Sequence, residues 1–223
     1  MRVNCWQNKA FEFESHSTAI LVIDMQRDFL APDGNLALRH GGVAALAAII
    51  PKVRKVLGAA RDAGLMVVHT REGYSPDRSD VNAFKRTLGY VGVDGPNGPF
   101  LIRGTPGHDF MEGFHPEESE YVVDKPGFSA FYRTDLETIL NDQRISHLIL
   151  TGITTQCCVH STLRDAVDRG YFCLSLEDCC ASEEPEIHHA TLQIIQAENH
   201  LFGWISSSDA FLGALCGAIH EGD

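Results

Sequence analysis

His147-Leu-Ile-Leu-Thr151, running straight into Gly152-Ile-Thr-Thr-Gln-Cys-Cys158, reads as a buried strand that opens into a loop and then a helix. Leu148-Ile149-Leu150 shows no polar alternation, the pattern of a strand covered on both faces in a parallel sheet. The helix is expected from about Cys158 to Asp168, with Gly170 as its stop. Phe172-Cys-Leu-Ser-Leu176 then forms the next strand. Strand, helix and strand in this order make one crossover unit of a parallel sheet.

The same alternation extends in both directions. Residues 19–23 are an apolar run ending at Asp24. Residues 49–63 carry Ile50, Val53, Val56, Leu57 and Ala60 at helical spacing, and Gly64 ends them. Residues 65–69 and 121–123 read as further strands, 186–199 as a last long helix, and Trp204-Ile205 as a sixth strand. The expected fold is a doubly wound α/β domain: a mostly parallel six-stranded sheet with helices on both faces. It should span residues 17–215, after an N-terminal extension (1–16) and before a C-terminal tail (216–223). Residues 73–116 break the rhythm, being rich in Gly, Pro, Asp and Asn. A long irregular insertion of this kind predicts a lid or an interface element.

Composition narrows the function. A formal charge of −12 on 223 residues opposes binding to nucleic-acid phosphates. No apolar run reaches spanning length, and Met1-Arg-Val-Asn-Cys-Trp6 lacks a signal-peptide core, so a cytoplasmic protein is expected. Seven cysteines include two adjacent pairs and no C-x-x-C spacing, which predicts reduced thiols.

Ligands of open parallel sheets bind at the carboxyl ends of the strands. Asp24, Lys125 and the 152–158 loop all fall there. Cys158, at the first turn of a helix, would meet a positive dipole that favours a thiolate and backbone N–H groups able to hold an oxyanion. Taken singly, Cys158 is more often a small buried hydrophobe than a nucleophile, Asp24 could be a helix cap or a loop carboxylate, and Lys125 could be a surface charge. Together they supply a proton acceptor, a cation and a soft nucleophile.

Three segments then carry a resemblance: Ile20-Leu-Val-Ile-Asp-Met-Gln-Arg-Asp-Phe29, Val123-Asp-Lys-Pro-Gly-Phe-Ser-Ala-Phe131 and Thr151-Gly-Ile-Thr-Thr-Gln-Cys-Cys-Val-His-Ser-Thr162. They are similar to the signature segments of the isochorismatase-like cysteine hydrolases, and the likeness runs from about Ser17 to Leu215. The resemblance implies that Cys158, which precedes a valine, is the nucleophile and Cys157 is not. It implies a non-proline cis peptide at Ile153–Thr154 and an oxyanion hole from the N–H groups of Thr154 and Cys158. Asp24 would take the thiol proton, Lys125 would stabilise the charges, and a thioester would form and hydrolyse. It also implies a homo-oligomer, a dimer or tetramer.

Nicotinamidases of this family carry an Asp-x-His plus second-His metal set after the second strand. His69-Thr-Arg-Glu-Gly-Tyr-Ser-Pro-Asp77 lacks that spacing, and His188-His189 reads as a surface pair at a helix start, so neither metal nor cofactor is expected. Within the family, His69–Gly73, Arg103–Gly107, Asp124–Gly127, Leu150–Thr155 and Leu176–Cys180 resemble biuret hydrolases. Phe202-Gly-Trp204 resembles ureidoacrylate amidohydrolases. Phe128 and Glu198 stand where biuret hydrolases have a lysine and a substrate-contacting glutamine, which brings in longer ureides such as triuret. The expected activity is therefore cleavage of a biuret- or triuret-type amide, with ureidoacrylate or another N-carbamoyl amide as the alternative. Phe29 and Phe128 are expected as pocket walls, Arg71 as donor, Glu198 as acceptor and Gln26 as loop support. Lys85 and Arg86 are either pocket cations or surface charges. Isochorismate hydrolysis fits poorly because members with that activity lack the cysteine. A non-enzymatic scaffold would be marked by loss of a catalytic residue, and none is lost.

Overall fold

The computed structural model describes residues 1–220, with side chains to residue 217. A hairpin, β1 (Arg2–Cys5) and β2 (Lys9–Glu12), comes first. The main sheet comprises β3 (Thr18–Ile23), β4 (Met66–Glu72), β5 (Tyr121–Lys125), β6 (His147–Ile153), β7 (Phe172–Ala181) and β8 (Trp204–Ser206). Its strands lie in the order β5-β4-β3-β6-β7-β8, and every neighbouring pair is parallel. The helices are α1 (Arg27–Leu30), α2 (Asn35–His40), α3 (Ala44–Ala47), α4 (Ile50–Asp62), α5 (Ala83–Leu88), α6 (Leu136–Asp142), α7 (His160–Asp168), α8 (Pro185–His200) and α9 (Ser208–His220).

The central strand β3 shows why the sheet is covered on both sides. All six of its residues are buried, and successive side chains point to opposite faces. Ile20 and Val22 pack with Val53, Val56 and Leu57 of α4. Ala19, Leu21 and Ile23 pack with Leu163 and Ala166 of α7 and with Leu192 and Ile195 of α8. Strand order reverses between β3 and β6, so the crevice at their carboxyl ends is the topological switch point. Gly152 lets the two strands close there. Its φ is +108°, and a Cβ would lie 2.0 Å from the Ile23 carbonyl oxygen.

Several boundaries differ from expectation. The N-terminal extension is folded, with Val3, Phe11 and Phe13 buried against Phe211 and Leu215 of α9. Residues 216–220 of the expected tail continue α9, and 221–223 lie outside the described residues. Residues 73–116 contain α5, whose Asn82 side chain caps the helix by accepting from Lys85 N at 2.8 Å. They also build an apolar cluster of Tyr74, Val81, Phe100, Leu101 and Ile102. The helix expected at Cys158 begins at His160, preceded by a π-type turn over Thr155–Val159. All seven cysteines are free. Among the described residues no helix is long and apolar enough to cross a membrane.

Candidate active site

Four strand ends converge at the switch point. Asp24 follows β3, Glu72 ends β4, Lys125 ends β5, and the loop after β6 carries Cys158. Asp24 is fully buried and sits at φ +53°, in the left-handed region that costs a non-glycine residue energy and recurs at functional sites. Its backbone N–H donates to Thr70 O at 3.1 Å, and the Thr70 hydroxyl donates to Asp24 Oδ1 at 2.7 Å. Asp24 Oδ2 lies 2.8 Å from Lys125 Nζ, which also donates to Gly127 O at 3.0 Å. Burial opposes the charge on Lys125, but Asp24, Cys158 and Glu72 outweigh it and hold its pKa above the ordinary lysine range.

Cys158 is buried, and its Sγ donates to Glu72 Oε2 at 3.8 Å. The ligand-type atoms of Asp24, Glu72 and Cys158 all lie within 4.8 Å of one another. Hydrogen bonding to the Cys157 thiol, then burial, raises the Cys158 pKa well above the usual thiol range; Lys125 pulls the other way. Burial and the neighbouring thiol thus oppose the thiolate that a helix dipole was expected to favour, so forming it calls for a base beside the sulfur.

Glu72 is the residue that sequence reasoning missed. The strand was expected to stop at residue 69, which left Glu72 in a loop. β4 runs three residues further and brings the carboxylate beside the Cys158 sulfur. Its Oε1 accepts from Tyr74 OH at 2.7 Å and from the Lys85 ammonium. Lys85 is only 3% exposed and sits 3.6 Å from the centre of the Phe128 ring. Lys85 is therefore neither a free pocket cation nor a surface charge. Arg86 stays outside, donating to Arg78 O at 2.7 Å.

The cavity above these groups has a volume of about 240 Å³. Phe29, Leu36, Phe100, Leu101 and Phe128 form apolar walls, and Thr154 and Cys158 line it beside Asp24 and Glu72. Ile153–Thr154 is a cis peptide, as the resemblance implied. Gln26 holds the loop: its Oε1 accepts from Glu72 N at 2.8 Å, and its Nε2 donates to the carbonyls of Glu72 and His108 at 3.0 Å each.

Two expected substrate contacts lie elsewhere. Strand alternation turns Arg71 away from the side that Glu72 faces. Arg71 pairs with Asp124 at 2.7 Å, stacks over Phe110 and borders a separate depression with Arg103 and His108. Glu198 is exposed because α8 loses helical geometry at Ala197, and Glu198 follows at φ +51°. Neither residue lines the cavity.

A metal fits poorly. Asp24, Glu72 and Cys158 are the one group of three such ligands close enough among the described residues, and it contains no imidazole. Each carboxylate already faces an ammonium, so a divalent cation there would meet Lys125 and Lys85. His69 is buried apart from the cavity against Glu120 at 2.9 Å, and His188 faces the Thr155 hydroxyl at 2.9 Å.

Comparison with known proteins bears on these observations. The isochorismatase domain profile matches residues 18–210. Ureidoacrylate amidohydrolase RutB of Serratia proteamaculans is 31% identical, covering 96% of this chain and 88% of that protein. A cysteine hydrolase from Pseudomonas syringae pv. phaseolicola superposes with a TM-score of 0.82 at 28% identity, covering 93% of this chain and 96% of that one. N-carbamoylsarcosine amidase from Thermoplasma acidophilum superposes with a TM-score of 0.69 at 25% identity, covering 86% and 97%.

Proposed function

The chain belongs to the isochorismatase domain family, and from that premise we propose that it is a cysteine amidohydrolase whose substrate is an N-carbamoyl amide of the ureidoacrylate kind. The observation that carries this reading is a buried thiol flanked by two carboxylates, each held by a lysine, at the floor of an apolar cavity. Relatives of this chain act on amide C–N bonds, as their names state. The donor and acceptor on which a biuret or triuret preference rested, Arg71 and Glu198, do not line the cavity.

In the proposed reaction Asp24, the base implied by the family resemblance, takes the Cys158 proton, and Glu72 orients the S–H beforehand. The thiolate attacks the carbamoyl carbon. Backbone N–H groups of Thr154 and Cys158 hold the resulting oxyanion, while Lys125 balances the negative charge that the thiolate brings. Collapse breaks the C–N bond, and the leaving nitrogen takes the proton from Asp24. Water, deprotonated by Asp24, then hydrolyses the thioester and frees the sulfur, which takes its proton back. Phe29 and Phe128 are proposed as walls against the substrate.

Neutral ureides of the biuret or triuret type are the second reading. Glu72 supports it, because a buried carboxylate is a strong acceptor for the N–H groups of a flat ureide. A release assay decides between the two, with ureidoacrylate, N-carbamoyl amino acids, biuret, triuret and nicotinamide each offered to the wild-type protein and to Cys158→Ser. The highest kcat/KM is expected on an N-carbamoyl acid. Turnover that survives in Cys158→Ser would overturn the cysteine mechanism, and a preference for biuret or triuret would favour the second reading.

A further inference from the structure

The cavity is polar at its floor and apolar along its walls, and Arg39 adds a charge to its lining. Floor charges cancel in pairs: Lys125 faces Asp24 and Lys85 faces Glu72. His40, which also lines the cavity, pairs with Glu183 at 2.6 Å. Arg39 differs. Its guanidinium stands 5.8 Å from the centre of the Phe100 ring, on an exposed residue, and among the described residues it forms no ion pair.

A single uncompensated cation matters more in this protein than in most. With a formal charge of −12, most of the surface repels an anion. Arg39, at the cavity lining beside the apolar walls, favours an anionic group on a ligand whose amide lies at the floor. A guanidinium also presents a planar fork of donors that matches a carboxylate in two-point contact.

We propose that Arg39 is the specificity-determining residue that receives a carboxylate carried by the far end of the substrate. The enzyme would thereby select N-carbamoyl acids over neutral ureides of similar length. This deepens the proposed function and rests on it for the identity of the reacting group. No chemical step changes; Arg39 acts on binding alone.

The test separates binding from turnover by using Cys158→Ala protein, which lacks the nucleophile. Calorimetric titration compares 3-ureidopropionate with its neutral isostere 3-ureidopropionamide, which differs only at the far end. The acid should bind more tightly than the neutral isostere. Arg39→Gln in the same background should reduce that acid-to-amide preference by about tenfold or more, and Arg39→Lys should restore part of it. The preference should also shrink as ionic strength rises. An acid that does not bind, or a preference unchanged by Arg39→Gln, would overturn the proposal. Wild-type protein that turns over no N-carbamoyl acid would instead sink the proposed function, while the affinity ratio still judges Arg39.

Discussion

Removing Lys85 should destabilise this protein more than removing any other single charge of the insertion. The Lys85 ammonium is 3% exposed, bound to Glu72 and packed against Phe128. Lys85→Met leaves the Glu72 carboxylate buried beside the Cys158 sulfur, with Tyr74 OH as its remaining side-chain partner on Oε1. Breaking a buried pair from one side costs about 3–5 kcal/mol, because an uncompensated charge stays behind. For a domain of this size that is a fall in Tm on the order of 10 °C. Glu72→Gln should cost less, since Lys85 keeps the ring faces of Phe128, Tyr74 and Tyr90. The double variant carries neither stranded charge, so its loss should fall short of the sum by about 2 kcal/mol. Urea denaturation of the four proteins, with m-values compared, gives this coupling directly. Additivity within about 0.5 kcal/mol would refute the reasoning, because it would mean that the two charges do not meet in the folded protein.

Other perturbations address the site and its scaffold. Cys158→Ser should abolish turnover with the fold retained, whereas Cys157→Ser should cost less than about tenfold in kcat/KM; reversed phenotypes would reassign the nucleophile. Gly152→Ala should lower stability by several kcal/mol, on the order of 3, since the new methyl meets the Ile23 carbonyl and φ is positive; calorimetry showing an unchanged Tm would contradict the packing of β3 on β6. Burial, reinforced by the Arg71 charge, lowers the pKa of His108 to about 4. The unfolded chain, with its imidazole near the ordinary value, therefore binds a proton that the native state refuses between pH 6.5 and about 4. Stability should fall as pH drops through that window, by about 3 kcal/mol, and His108→Gln should flatten the slope in urea titrations.

The sequence alone determined the fold class and the place of the candidate site. Short apolar runs without alternation, bounded by turn residues and alternating with helical patterns, read as strands covered on both faces, and their ends mark where ligands bind in a parallel sheet. Asp24, Lys125 and Cys158 each sit at or just beyond such an end, so one-dimensional order was enough to bring them together. The N-terminal hairpin escaped notice because its strands are only four residues each, and α9 because its apolar residues mark no single helical face; they become a core only against each other. Tertiary structure decided everything that depends on which way a side chain turns. Three extra residues of β4 carry Glu72 to the thiol, and strand alternation sends its neighbour Arg71 away. Lys85 crosses from a segment with no legible period to meet Glu72, a pairing that no local pattern encodes. At the end of α8 a break in helical geometry leaves Glu198 outside the cavity. Local pattern places a residue on an element, whereas its partner across the fold is chosen by packing and by the cost of leaving a buried charge alone.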